Sequence, residues 1–283
     1  MPDAFHALEE SVTADVTRAL AEDVGAGDLT ASLVPESRRA KARLLTREDA
    51  ILCGTEWFNR SFEELDTDVE IFWHFADGEA ISAGTSLCEV DGLARPMLTA
   101  ERTALNFVQL LSGVATRTAA FVRAVEGTRA KIYDTRKTLP GLRIAEKYAV
   151  RVGGGTNHRI GLHDGILIKE NHILAAGGIP RAMEKALKLA PPGTLVEIEV
   201  ENLQQLQEAI EAGAKLVLLD NFDLGAMRSA VQVAGGRAEL EASGGVSLKT
   251  VRAIAETGVD RISIGSLTKD VEALDLSLRF LHR

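Results

Sequence analysis

Several things are scarce in this 283-residue chain, and each scarcity removes a class of function. It has two cysteines, Cys53 and Cys88, and they form no CxxC pair, which excludes a disulfide framework or a zinc knuckle. Each is expected to be a core residue in a reducing compartment. Basic residues are outnumbered, 32 against 41 acidic ones, for a formal charge of −9, which argues against a general nucleic-acid surface. No apolar run approaches the roughly 18 residues of a membrane span. The start, MPDAFHALEESV, lacks a basic stretch and a long apolar segment, so no secretory signal is read and the cytoplasm is expected. Aromatics are 5%, which leaves a core of Leu, Val, Ile and Ala. No GxGxxG opens a βαβ unit, which weakens a dinucleotide fold. No HxxxH or HxH spacing supports a metal-binding role for the histidines, His158 and His163 included.

What is present is an unusual concentration of cations between Tyr133 and His172. It holds Arg136, Lys137, Arg143, Lys147, Arg151, His158, Arg159, His163, Lys169 and His172, with Gly153-Gly154-Gly155 among them. Arg143, Lys147 and Arg151 follow helical spacing and fit a solvated face. Arg136-Lys137, His158-Arg159 and Lys169 fall at element ends, where sites are usually built. A ligand with several negative charges accounts for them.

The chain changes rhythm along its length. Residues 4–22 read as an amphipathic helix through Leu8, Val12, Val16 and Leu20. Strands are expected at 42–46 and 69–75, with a short helix at 54–65 between them. The run ADGEAISAGTSLCEVDG reads as a compact β meander. Residues 97–125 carry the longest helical pattern, with Thr99 as N-cap and Arg102 in the first turn, where the helix dipole does not favour a cation. From 130 onward, strands at 131–134, 165–169, 195–199, 216–219, 238–241 and 261–264 alternate with helices at 141–150, 180–189, 202–212, 223–233 and 248–256. Such alternation means parallel βαβ units, either as an incomplete barrel or as an open doubly wound sheet.

In a (β/α) barrel the site lies at the C-terminal strand ends. Here those ends are polar: Asp134-Thr135-Arg136-Lys137, Lys169-Glu170, Glu199, Asp220-Asn221, Ser243-Gly244-Gly245 and Gly265-Ser266. Early strands supply cations, middle strands carboxylates and late strands glycines. Glycine loops entering helices suit a phosphate. Glu199 and Asp220 offer oxygen ligands for magnesium, directly or through water. The arginines suit carboxylates.

Seven stretches together resemble the quinolinate phosphoribosyltransferase family. They are EDVGAGDLT, ERTALNFVQLLSGVATRT, DTRKTLPGLRIAEKYAVRVGGGTNHRIGLHDGILIKENHI, EVEN, LLDN, EASGGV and GVDRISIGSLT. The resemblance covers essentially the whole chain. Departures are small: Glu170 stands where aspartate is common, and Ser266 and Lys269 vary the final loop. It implies a type II phosphoribosyltransferase fold: an N-terminal α/β sandwich over 1–109, an incomplete α/β barrel over 110–270, and a tail, 271–283, packed on the sandwich.

The implied reaction joins quinolinate to phosphoribosyl pyrophosphate with loss of carbon dioxide. The products are nicotinate mononucleotide and pyrophosphate, a step of NAD synthesis that uses Mg2+. The implied quinolinate set is Thr135, Arg136, Lys137, His158, Arg159, Lys169 and, from the partner of a homodimer or larger homo-oligomer, Arg102. The phosphoribosyl set is Lys137, Glu199, Asp220, Ser243, Gly244, Gly245, Ile264, Gly265 and Ser266. Lys169, Glu199 and Asp220 take the catalytic roles. Two other activities stand beside it. One is a nicotinate phosphoribosyltransferase without decarboxylation, for which the pocket holds more cations than one carboxylate needs. The other is a Schiff-base lyase with Lys169 as nucleophile. A catalytically idle binding protein is a third reading, and no proposed catalytic position is replaced to favour it.

Overall fold

The computed structural model describes residues 4–281, with side chains from residue 8 onward. The first elements are α1 (Ala4–Val24), β1 (Arg39–Thr46), β2 (Ala50–Ile51), α2 (Thr55–Glu63), β3 (Glu70–Trp73), β4 (Ala80–Ile81), β5 (Ser86–Leu93) and α3 (Ala94–Ala124). Then come β6 (Lys131–Tyr133), α4 (Arg143–Val152), β7 (Gly165–Ile168), α5 (Glu170–Ala176), α6 (Ile179–Leu189), β8 (Leu195–Val200) and α7 (Leu203–Glu211). The chain ends with β9 (Leu216–Asp220), α8 (Leu224–Ala234), β10 (Glu239–Ser243), α9 (Val251–Ala255), β11 (Arg261–Ser263), α10 (Ser266–Lys269) and β12 (Leu276–Phe280). None of the described helices is long and apolar enough to cross a membrane.

The chain divides into two compact units. Among the described residues, the first comprises 4–117, 139–154 and 270–281; the second comprises 118–138 and 155–269. The segment 139–154, which the sequence places in the barrel, therefore belongs with the first unit.

The first unit is built on an antiparallel sheet in the order β12-β1-β5-β3. One face of that sheet buries Ala42, Leu44, Leu87, Cys88 and Val90, wholly out of solvent. Leu87 and Cys88 are adjacent yet both buried, because the β1–β5 register shifts between Leu44 and Leu45. Phe58 and Phe62 of α2 and Met97, Ala104, Leu105 and Val108 of α3 complete the core. Phe58 packs at 4.9 Å from Phe62 and 5.1 Å from Trp73, so the few aromatics are concentrated here. Cys53 and Cys88 are free and buried. Gly113 marks a close approach of backbone: a Cβ there would collide with the Glu272 carbonyl.

Three local readings change. The third helix starts at Ala94, straight out of β5, with Pro96 in its first turn, a position proline tolerates. Thr99 is therefore inside the helix rather than its N-cap, and its hydroxyl donates to Asp28 Oδ2 at 2.9 Å. Arg102 lies beyond the first turn. The tail forms a strand, β12, paired to β1 from Ala42↔Phe280 to Thr46↔Leu276.

The second unit is a six-stranded parallel sheet in the order β6-β11-β10-β9-β8-β7. First and last strands of the series are neighbours, joined at Arg261↔Lys131 and Ile262↔Ile132. That cyclic order makes an incomplete (β/α) barrel, open between β6 and β7, and rules out the doubly wound sheet. Leu216–Leu219 of β9 are all buried, as a parallel strand covered on both faces should be. Helix starts are capped locally: Asn202 accepts from Gln205 N–H at 2.9 Å, and Asp223 from Ala226 N–H at 2.8 Å.

Candidate functional site

The barrel places its strand ends around a cavity of about 350 Å³. Thr135, Arg136, Lys137, His158, Arg159, Lys169, Glu199, Asp220 and Ser243 line it, with Leu167, Leu218, Glu241 and Ser263. Residues drawn from sequence positions more than 100 apart thus meet in one concavity.

The first wall follows β6. Asp134 is wholly buried and accepts from Asn157 Nδ2 at 2.6 Å and His158 N–H at 2.7 Å. It ties the NHR segment to the end of β6. Thr135 Oγ1 accepts from Lys137 N–H at 3.0 Å, and Thr268 donates to the Lys137 carbonyl at 2.7 Å, which fixes the turn carrying both cations.

Arg159 is half-buried, and its Nη1 donates to the Gly165 carbonyl at 2.9 Å. Burial, and then the neighbouring Arg136 charge, pulls its guanidinium below the usual arginine range. Two like charges held this close favour an anion between them. The loop that follows is clamped by Asp164, whose carboxylate accepts Ile160 and Gly161 N–H at 2.7 and 2.8 Å.

Lys169 ends β7, and its Nζ lies 2.9 Å from Glu199 Oε2. Its own N–H donates to His172 Nδ1 at 2.9 Å, a cap for α5, a helix absent from the sequence reading. Glu199 and Asp220 stand on adjacent strands. Asp220 Oδ2 accepts from Asn221 Nδ2 at 3.0 Å. Asn221 has φ 56°, a left-handed conformation rare outside glycine and common beside functional sites.

The late strands bring the glycines. Gly244 has φ +100°, and a Cβ there would strike the Asn221 side chain. Gly265 lies against Lys137, whose Cδ would be 2.8 Å from a Cβ. Ile264 is buried and its N–H donates to the Tyr133 carbonyl at 2.9 Å. Gly245 is exposed, and Ser266 opens α10. Arg102 is exposed on α3 in the first unit.

Two carboxylates escaped sequence reasoning. Glu197 and Glu241 are wholly buried, on β8 and β10, and Glu241 is part of the cavity's lining. Strand alternation was the available signal: LVEIEV puts Glu197 on the same face as Glu199, one layer deeper.

Chemically, the cavity brings four cationic side chains, Arg136, Lys137, Arg159 and Lys169, together with the carboxylates of Glu199 and Asp220 and the buried Glu241. The Glu199–Asp220 pair supplies only hard oxygen donors, which fits a magnesium ion that keeps part of its water shell. The cations fit a multiply charged anion.

The model of the C-terminal domain of quinolinate phosphoribosyl transferase matches residues 114–279, and that of its N-terminal domain matches 28–112. A nicotinate-nucleotide pyrophosphorylase (carboxylating) of Mycobacterium leprae is 43% identical over 270 residues, covering 93% of this chain and 95% of its own. A probable enzyme of the same name from Bacillus subtilis is 42% identical over 257 residues, covering 91% and 89%. Among solved structures, the nicotinate-nucleotide pyrophosphorylase of Francisella tularensis superposes with a TM-score of 0.93 at 47% identity, covering 96% of this chain and 97% of that one.

Proposed function

This chain belongs to the quinolinate phosphoribosyltransferase family, and from that premise we propose how its barrel performs the reaction. The enzyme transfers the phosphoribosyl group of phosphoribosyl pyrophosphate to quinolinate with decarboxylation, giving nicotinate mononucleotide, pyrophosphate and carbon dioxide in NAD biosynthesis. The observation that carries the mechanism is the gathering of Arg136, Lys137, Arg159 and Lys169 opposite Glu199 and Asp220 in one cavity.

Arg136, Arg159 and Lys169 bind the two adjacent carboxylates of quinolinate, with Thr135 and Lys137 at the edge. Several cations in a partly desolvated pocket match a dianion far better than a monocarboxylate. His158 forms part of the pocket wall. Arg102 reaches the site from the partner in a homodimer, which gives an exposed arginine on a long helix a task.

The ring nitrogen of quinolinate attacks the anomeric carbon as pyrophosphate leaves, and positive charge develops on the ribose. Glu199 and Asp220 face that charge and stabilise it. The same two carboxylates would hold a magnesium ion, which would supply charge neutralisation for the leaving pyrophosphate. The 5′-phosphate rests on Ser243, Gly244 and Gly245, with Ile264, Gly265 and Ser266 closing the other side. Lys169 is paired with Glu199 at 2.9 Å and so is held where acceptor and ribose meet. Once the ring nitrogen is alkylated, its positive charge stabilises the electron pair left on the adjacent ring carbon as carbon dioxide departs, and a proton from solvent then takes up that pair to complete nicotinate mononucleotide. A cytoplasmic location accords with two unpaired, buried thiols.

The test is a paired assay with phosphoribosyl pyrophosphate and Mg2+, once with quinolinate and once with nicotinate. Equimolar pyrophosphate and carbon dioxide from quinolinate alone is expected. Pyrophosphate from nicotinate at a comparable rate overturns the dianion assignment of the cations. Turnover of quinolinate unchanged by chelation of Mg2+ overturns the metal role.

A further inference from the structure

Under the cations the barrel interior is acidic, and a histidine sits in the acid. Glu197 and Glu241 are 0% exposed and His158 is 9% exposed. His158 Nε2 lies 2.7 Å from Glu197 Oε2 and 3.8 Å from Glu241 Oε1. Its Nδ1 accepts the Arg159 backbone N–H at 2.8 Å. A donor already aimed at Nδ1 leaves no place for a second proton on the ring. That geometry is the one a neutral imidazole takes when its one proton is on Nε2 and given to Glu197. This differs from the cationic role that the sequence suggests for His158.

The three groups have metal-ligand chemistry, and their ligand atoms lie within 4.8 Å of one another. The shortest distance argues for a proton instead of an ion. Two ligands on one tetrahedral ion, each about 2.0–2.2 Å from it, stand about 3.3 Å apart, not 2.7 Å. Other charges face the cluster. Asp134 accepts the His158 backbone N–H, Arg159 follows in the chain, and Tyr133 and Arg261 lie near Glu241. Burial, and then the Glu197 charge, raises the Glu241 carboxyl above the usual carboxylate range.

We propose that Glu197 is a positioning residue for acceptor binding: it locks His158 in the neutral Nε2–H form and, through the ring, aims Arg159 into the pocket. Arg159 is then held at both ends, its N–H on His158 Nδ1 and its guanidinium on the Gly165 carbonyl. A rotamer fixed in this way loses little freedom when the substrate carboxylate arrives. If the ring turned over, Nδ1 would leave the Arg159 N–H and Nε2 would leave Glu197 together. The glutamate thus sets the tautomer, and the tautomer sets the arginine. Recognition of the dianion falls to the arginines and lysines, with no charge from His158. The assignment rests on the proposed acceptor pocket.

The imidazole nitrogens of 15N-labelled full-length protein, with His158 assigned by its loss in His158→Gln, read the tautomer directly. A neutral Nε2–H pattern from pH 6 to 8.5 is expected, and a doubly protonated His158 at pH 7 overturns the proposal. Kinetics separate positioning from simple support. Glu197→Leu should raise KM for quinolinate at least tenfold while kcat and KM for phosphoribosyl pyrophosphate move less than threefold. Glu197→Gln, which keeps an acceptor for Nε2–H, should recover most of that loss. Equal losses in both variants, or a loss in kcat alone, overturn it.

If Glu197→Leu does not fold, a double-mutant cycle decides: His158→Leu should raise KM for quinolinate in the otherwise unmodified enzyme and add less than twofold in Arg159→Gln, whereas fully additive losses overturn the proposal. Absence of quinolinate turnover in the unmodified enzyme would defeat the pocket assignment alone, because the NMR pattern and its loss in Glu197→Leu remain readable.

Discussion

The two compact units fill their interiors with different chemistry. In the first, the main buried cluster, around Leu44, Phe58 and Leu105, is apolar, the charges of the sheet pair on its surface, as Arg43 does with Glu89 at 2.9 Å, and the buried Asp15, Glu146 and Lys147 lie outside that cluster. In the second, Asp134, His158, Glu197 and Glu241 are all buried inside the barrel. A buried charge is costly unless it is paired, so a fold keeps such groups where they position something. Stability should therefore reside mainly in the first interior and binding in the second.

Mutations can break or sharpen that contrast. The largest effect is expected in the barrel: Arg136→Ala and Lys169→Ala should each lower kcat/KM for quinolinate by roughly 10²–10³, through lost charge-assisted contacts. Thermal unfolding should barely move. Near-normal turnover by both variants would remove the site from this cavity.

Next comes the apolar core. Phe58→Ala deletes a fully buried ring and should cost about 3–5 kcal/mol in denaturant unfolding. The protein that remains folded should keep its kcat within about twofold, provided the contrast holds.

A titration gives the third test. Burial raises the Glu146 carboxyl to about 7, although its Oε2 accepts the Leu139 N–H at 3.0 Å. The folded state therefore holds this proton more tightly than the unfolded chain. Stability contributed by the acid form is complete below about pH 4.5 and is lost as pH rises through about 7. Glu146→Gln should remove that slope and leave the protein more stable than the unmodified chain at pH 8, by about 1–3 kcal/mol. Parallel stability curves for the two proteins between pH 5 and 8 would contradict it.

The smallest effect belongs to the surface. Arg43→Ala should change stability by no more than about 0.5 kcal/mol, because an exposed pair is screened and entropically expensive. A larger loss would mean that the first unit also relies on its charges.

The residues that line the cavity were more legible in the sequence than the closure of the strands around it. Strand ends are short, polar and punctuated by turns, so Lys169, Glu199 and Asp220 stand out without any long-range information. Whether the six strands close depends on β6 meeting β11, a pairing between residues about 130 apart that no local pattern encodes. Thr99 misled because a good capping residue also serves inside a helix when its hydroxyl finds a partner, here Asp28. The period of LSLRF was available for β12, but a terminal run that short competes with coil. Glu197 was hidden by its own neighbour: once Glu199 explained the polarity of the strand, the alternation that places Glu197 beneath it went unread.

The gap between β6 and β7 has a mechanical consequence. In a closed ring each strand is laced to two neighbours; β7 is laced only to β8. A one-sided strand opens first, and its amides should exchange with deuterium sooner than those of β9, which is held on both sides. Lys169 sits at the end of that looser strand, whereas Asp220 sits at the end of the tighter one. Breathing of the seam would then shift the lysine relative to a stationary carboxylate, and the barrel would flex on the side of Lys169 while the side of Asp220 stays rigid.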